Sequence, residues 1–240
     1  MRRPSDCRPA AAVAVGLLLV VAAGCASTRV DPERIDEAIG DLGRPLQSDM
    51  AALYDLRIPR SSGLRLTVLN AGDAGRFSIS EPFGAALSIT AWSPDKPVEL
   101  LDLDRGCRRP IDELEGIAGV GALPARQAAR LLGGRLPAVV GDEVWPGPGG
   151  AIAVRGAGWA AVVRIQADPW RVVEVREVRA DRRRGWRIRL DEHDGPIPGR
   201  LHLVVPGTGK AELELKRIEW RDQLQLPALP DLPRCGGGSG

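Results

Sequence analysis

Histidine is scarce. Only two occur in 240 residues, His193 and His202, and no Cys/His spacing fits a metal site. There is no G-x-S-x-G elbow and no phosphate-cradling glycine loop, and the cysteines lack a convincing base partner. The chain therefore does not read as an enzyme, and nothing in it asks for a metal or another cofactor. Aromatic residues make up 4% of the chain, so a core must be largely aliphatic, and phenylalanine is limited to Phe77 and Phe83. The acidic stretch Asp191–Asp194 reads as a solvated hairpin tip. "VRADRRRGWRIR" is the one basic concentration; it reads as an exposed strand and turn, with contact to anionic lipid headgroups as a minor reading.

The one long apolar run is N-terminal. Arg2 and Arg3 precede "AAAVAVGLLLVV", Ala10 to Val21. This is too short for a membrane-spanning helix and fits the h-region of a secretory signal. It ends in Ala22-Ala23-Gly24-Cys25, which resembles the lipobox of bacterial lipoproteins, with alanine at Ala22 where leucine is commoner. The resemblance implies cleavage before Cys25 and acylation of that residue. Ala26, in place of aspartate, implies sorting to the outer membrane. An ordinary signal cut near Ala22, or an uncut anchor, is the alternative.

Processing alters the charge balance. Removing residues 1–24 takes Arg2, Arg3 and Arg8 from the 33 basic side chains and Asp6 from the 31 acidic ones, leaving 30 of each. A formally neutral mature chain does not point to nucleic acid as a partner. Cys7 leaves with the signal and Cys25 is the proposed lipid site. Cys107 and Cys235 remain, and in an oxidising compartment they are able to pair; sequence leaves that open. The terminal "GGGSG" has flexible-linker composition.

The rest suits one domain with a real core. The expected division is a signal peptide over 1–24, a lipidated tether over 25–33, a single domain over 34–233 and a flexible tail over 234–240. Asp31 then Pro32 predicts a helix start, running through about Gly43 with Tyr54 as its outer limit. From Gly63 the apolar period becomes two. Leu64, Leu66 and Val68 share a face, "NAGDAG" predicts a hairpin turn, and Phe77, Ile79, Leu87 and Ile89 are expected to point inward. "KPVELLDL" predicts another strand. Two short helices follow, over about 111–118 and from Pro124 to Gly133-Gly134. Six further strands are then expected, from "AIAVRG" to "KAELELKRIEW". The fold class is mainly β with a few helices: an antiparallel sheet curled into an open half-barrel, covered or plugged by short helices.

The element order, the Pro82-Phe83-Gly84 turn between two strands, the insert ending in "LLGGRLP" and the later "PIPGRLHLVV…AELELKRIEW" together resemble LolB, the outer-membrane lipoprotein receptor of the LolA/LolB superfamily. The similarity covers about Arg57 to Trp220. It implies a lipid-anchored protein on the periplasmic face of the bacterial outer membrane. Such a protein would take acyl chains of lipoproteins, received from a LolA-like periplasmic carrier, and insert them into outer-membrane lipid. Pro82, Phe83 and Gly84 would form the membrane-insertion loop. Leu64, Leu66, Val68, Phe77, Ile79, Leu87 and Ile89 would line the lipid cavity. The same residues equally suit a filled barrel, in which case the protein is a structural or adaptor envelope lipoprotein.

Overall fold

A computed structural model describes residues 30–59, 61–111, 123–179, 185–207 and 209–236. Cys25 and residues 112–122 of the insert lie outside them, so the expected lipidation site and all but Ile111 of the helix expected over 111–118 do too. Thirteen antiparallel strands form one sheet that does not close, in the order β6-β5-β4-β3-β2-β1-β13-β12-β11-β10-β9-β8-β7. In chain order β1–β6 are Asp49–Ile58, Ser61–Ala71, Ala74–Ser80, Ala86–Ser93, Lys96–Asp102 and Cys107–Pro110. β7–β13 are Glu143–Pro146, Ala151–Gly156, Trp159–Gln166, Arg171–Glu177, Arg187–Asp191, Arg200–Val205 and Gly209–Arg221. Among the described residues two helices accompany the sheet: α1, Ile35–Leu42, and α2, Ala125–Leu132. The sheet is the expected open half-barrel.

Its topology is a meander cut in one place. β1 pairs with β2 on one side and with β13 on the other, so first and last strands meet in mid-sheet. The two end strands of the sheet, β6 and β7, are consecutive in the chain, and α2 lies in the segment joining them. Both edge strands have four residues and end in proline, Pro110 and Pro146. Short edges without a full set of N–H donors are poor templates for further pairing.

The interior follows from the alternation. Ala52, Val68 and Phe77 face one another across β1, β2 and β3, as do Tyr54, Leu66 and Ile79. They join Ile152, Val163 and Val175 from the other half, and Ile35 and Leu42 of α1 with Leu131 and Leu132 of α2, in one continuous core. The helices are tied end to end. The Leu136 N–H donates to the Leu42 carbonyl (3.0 Å), and Arg130 donates to the carbonyls of Gly43 (2.9 Å) and Arg44 (3.0 Å). These bonds satisfy the open C-terminal carbonyls of α1.

Several sequence boundaries move. Asp31 does cap, accepting the Glu33 N–H at 3.0 Å, but the turn it opens is a 3-10 turn over Pro32–Arg34 leading into α1. The tether assigned to 25–33 therefore ends earlier, since Val30 is already in the core. The outer limit at Tyr54 fails because 49–58 is strand β1. The "NAGDAG" hairpin is present, with Gly72 at φ +56° between the paired Ala71 and Ala74. Cys107 and Cys235 are disulfide-bonded, 128 positions apart. The tail assigned to 234–240 is thus held through Cys235.

Candidate functional site

The β3–β4 turn is built to project. The Glu81 N–H donates to the Ala85 carbonyl (2.8 Å) and the Gly84 N–H to the Glu81 carbonyl (3.0 Å). Gly84 takes φ +94°, which glycine adopts without a Cβ penalty. At its base the Pro82 ring lies against Gly63 of β2, where a Cβ would stand only 2.9 Å from Pro82 Cγ. Glycine there lets the rigid ring seat close to the backbone. Residues 81–86 are all exposed, and Phe83 is 98% exposed. The ring has no protein surface to cover it.

The predicted cavity-lining residues fall into three groups. Leu66, Val68, Phe77 and Ile79 are buried on the concave face, the first two completely. Leu64 and Leu87 are half-buried and pack against the same core. Ile89 does not belong there. The register passes from Ser80↔Ala86 to Ile79↔Ser88, so Leu87 is a bulge residue and the alternation of β4 slips by one. Ile89 then pairs with Ser78 and Leu101 on the outer face, while Thr90 sits opposite Phe77. Thr90 and Trp92 are buried at these inward positions, and the Trp92 ring lies 4.9 Å from that of Phe77.

Sequence reasoning missed Met50, Ala52, Tyr54 and Leu56, the inward row of β1. Tyr54 is fully buried opposite Leu66, burial pushes its pKa up, and its hydroxyl has no hydrogen-bond partner among the described residues. It is a polar group in a largely apolar interior. Tyr54→Phe should leave the melting temperature unchanged or raise it, because removing an unpaired buried hydroxyl costs nothing. A loss of about 1 kcal/mol or more would instead reveal a bonded buried water.

No protein-family model matches the chain, and no curated protein is similar to it in sequence. Solved structures are similar. A domain from Vibrio parahaemolyticus, named for outer membrane lipoprotein sorting, superposes with a TM-score of 0.51 at 12% identity, over 81% of this chain and 95% of its own. The chain shares the fold of this domain. A LolA superfamily protein from Nitrosomonas europaea aligns over 82% of this chain and 96% of its own, at 15% identity and a TM-score of 0.46. In this chain the concave face is occupied by the protein's own helices and side chains. Among the described residues no helix is long and apolar enough to cross a membrane, and no group of histidine, cysteine and acidic residues is placed to hold a metal ion.

Proposed function

We propose that the protein is an envelope lipoprotein that handles the acyl chains of other lipoproteins. Cys25 would anchor it to the periplasmic face of the outer membrane, with residues 1–24 removed as the signal. Acyl chains would enter the concave side of the half-barrel, displacing part of its helical filling, and leave into outer-membrane lipid. The observation that carries this reading is the bare Phe83 ring, held out between Pro82 and Gly84. An aromatic ring exposed at a rigid tip gains by entering the headgroup boundary, where it needs no hydrogen-bond partner. The fold likeness adds to it.

The second reading is an adaptor lipoprotein with a permanently filled barrel. Complete burial of Leu66 and Val68 favours it. Native mass spectrometry of the soluble Cys25→Ala protein separates the two: co-purified lipid or acylated peptide supports the first, and a consistently empty protein the second.

Phe83→Glu tests the tip. At 98% exposure the substitution should change stability by less than about 0.5 kcal/mol. Cargo binding should persist, while transfer of bound lipoprotein to liposomes falls sharply. Unchanged transfer would end the insertion role. Cys25→Ala should separately release the protein from membranes; a variant that still fractionates with them, beside a parent carrying no lipid label, would refute acylation.

A further inference from the structure

The outer face of the sheet carries a feature unrelated to the interior. On β9, β10 and β11 the register sets Glu174 between Arg164 and Arg189. Residue 173 is a bulge that turns Glu174 to this face, and its side chain is only 5% exposed, an unusual burial for a carboxylate. Three guanidiniums cover it. Arg187 Nη2 lies 3.1 Å and Arg164 Nη1 3.6 Å from Oε2, and Arg176 Nε contacts Oε1. Beside them Arg171 donates to the neutral amide oxygen of Gln166 at 3.1 Å. Arg189 is matched by Asp191 (3.1 Å), and Glu192 by Arg200 (2.7 Å).

The charges do not cancel. One carboxylate serves three arginines, and Arg171 meets an uncharged partner. The groove these residues line, about 570 Å³ in volume, also contains His193. Its field is felt locally. Arg176 is pulled below its usual pKa by desolvation and then by repulsion from Arg187 and Arg164. His193 is lowered mainly by burial, with Arg171 adding to the effect and the Val172 carbonyl and Asp191 opposing it. A guanidinium has five N–H donors in a planar fork. Glu174 uses few of them, and it holds two of the forks, Arg164 and Arg187, in the lining of the groove.

We propose that this groove binds a phosphate-type oxyanion, carried by an anionic lipid headgroup or free in solution. Glu174 is the organiser that prevents the arginines from dispersing; Arg164, Arg171 and Arg187 are the ligands. The site is independent of acyl-chain handling and of Phe83.

The test uses the full chain carrying Cys25→Ala and Phe83→Glu, so that neither anchor nor apolar tip contributes. Flotation is measured with phosphatidylcholine vesicles with and without phosphatidylglycerol, at low salt. Binding should require phosphatidylglycerol, and Arg164→Gln with Arg187→Gln should weaken it about thirtyfold. Arg217→Gln on β13, a control from a different ion pair, should leave it unchanged. Glu174→Gln should also weaken binding, since without its carboxylate the arginines disperse, and this variant keeps the test decisive if the double arginine variant folds poorly. Inorganic phosphate at millimolar concentration distinguishes the sources. If it raises the melting temperature and displaces vesicles, the free oxyanion suffices; if it does neither while phosphatidylglycerol vesicles still bind, a headgroup in a bilayer is required. Equal flotation on both vesicle types, or full binding by the double variant, would overturn the site.

Discussion

Leu66→Glu is expected to abolish folding. Leu66 is fully buried between Tyr54 and Ile79, and among the described residues no cationic residue is buried. A carboxylate there must either ionise without a partner or be held protonated by burial, and it also loses the transfer energy of the leucine. Substitutions that bury an unpaired charge are among those exceeding about 4 kcal/mol, a large share of the 5–15 kcal/mol that holds a typical domain together. The variant should be insoluble, or soluble without near-ultraviolet dichroism. Leu87→Glu should be milder, because Leu87 is half-buried at the bulge beside the exposed turn. The comparison also bears on the interior. A Leu66→Glu protein that folds and melts within a few degrees of the parent would mean that water reaches the concave face, and loss of apolar-probe binding by that variant would then mark the cavity directly.

What could be read from the sequence depended on how local the signal was. The β3–β4 turn is legible because Pro82 and Gly84 constrain the backbone within three residues. The hairpin at Gly72-Asp73 and the stop of α2 at Gly133-Gly134 are legible for the same reason. Strand β1 is not. "DMAALYDLRI" does alternate, with Met50, Ala52, Tyr54 and Leu56 inward. Its alanines, leucines and methionine are also good helix formers, and only pairing with the adjacent β2 and the distant β13 decides the matter. Ile89 fails for another reason. A bulge leaves no compositional mark, so strict alternation carried past Leu87 assigns every later side chain of β4 to the wrong face. The groove around Glu174 is equally hidden, since its arginines come from three strands and are joined only by register. The disulfide needed geometry that spacing alone does not supply.

Breaking that disulfide is the remaining large effect. After β13 the chain crosses the outer face of β1–β6 as an extended strap over 222–236. The Leu224 N–H donates to Asp49 Oδ2 (2.7 Å), Arg76 donates to the Pro227 carbonyl (3.4 Å), and Arg108 and residues 233–235 exchange two backbone bonds of 2.8 Å. Leu226, Leu229 and Leu232 recur every third residue, each followed by proline, which is the repeat of a polyproline II helix. Leu226 and Leu232 are half-buried while Leu229 and the prolines are exposed, so the first and last leucines of the stripe face the protein. The Cys107–Cys235 bond fastens the strap to edge strand β6 and closes a loop of 128 positions. Loops of this size are worth about 2–4 kcal/mol in most measured cases. Cys235→Ser, made in the Cys25→Ala background so that no other thiol of the mature chain exchanges with Cys107, should lower the melting temperature by about 5–15 °C for a domain of this length. Reductant should lower the parent to the same value and leave the variant unaffected. Hydrogen exchange should quicken first at Arg108 and along the strap, because those backbone bonds join two segments at the sheet's edge. An unchanged melting temperature with fast exchange would show the strap to be an independent flap, held by its leucines and dispensable to the barrel. Unchanged exchange would show that the leucine stripe and the backbone bonds hold it without covalent help.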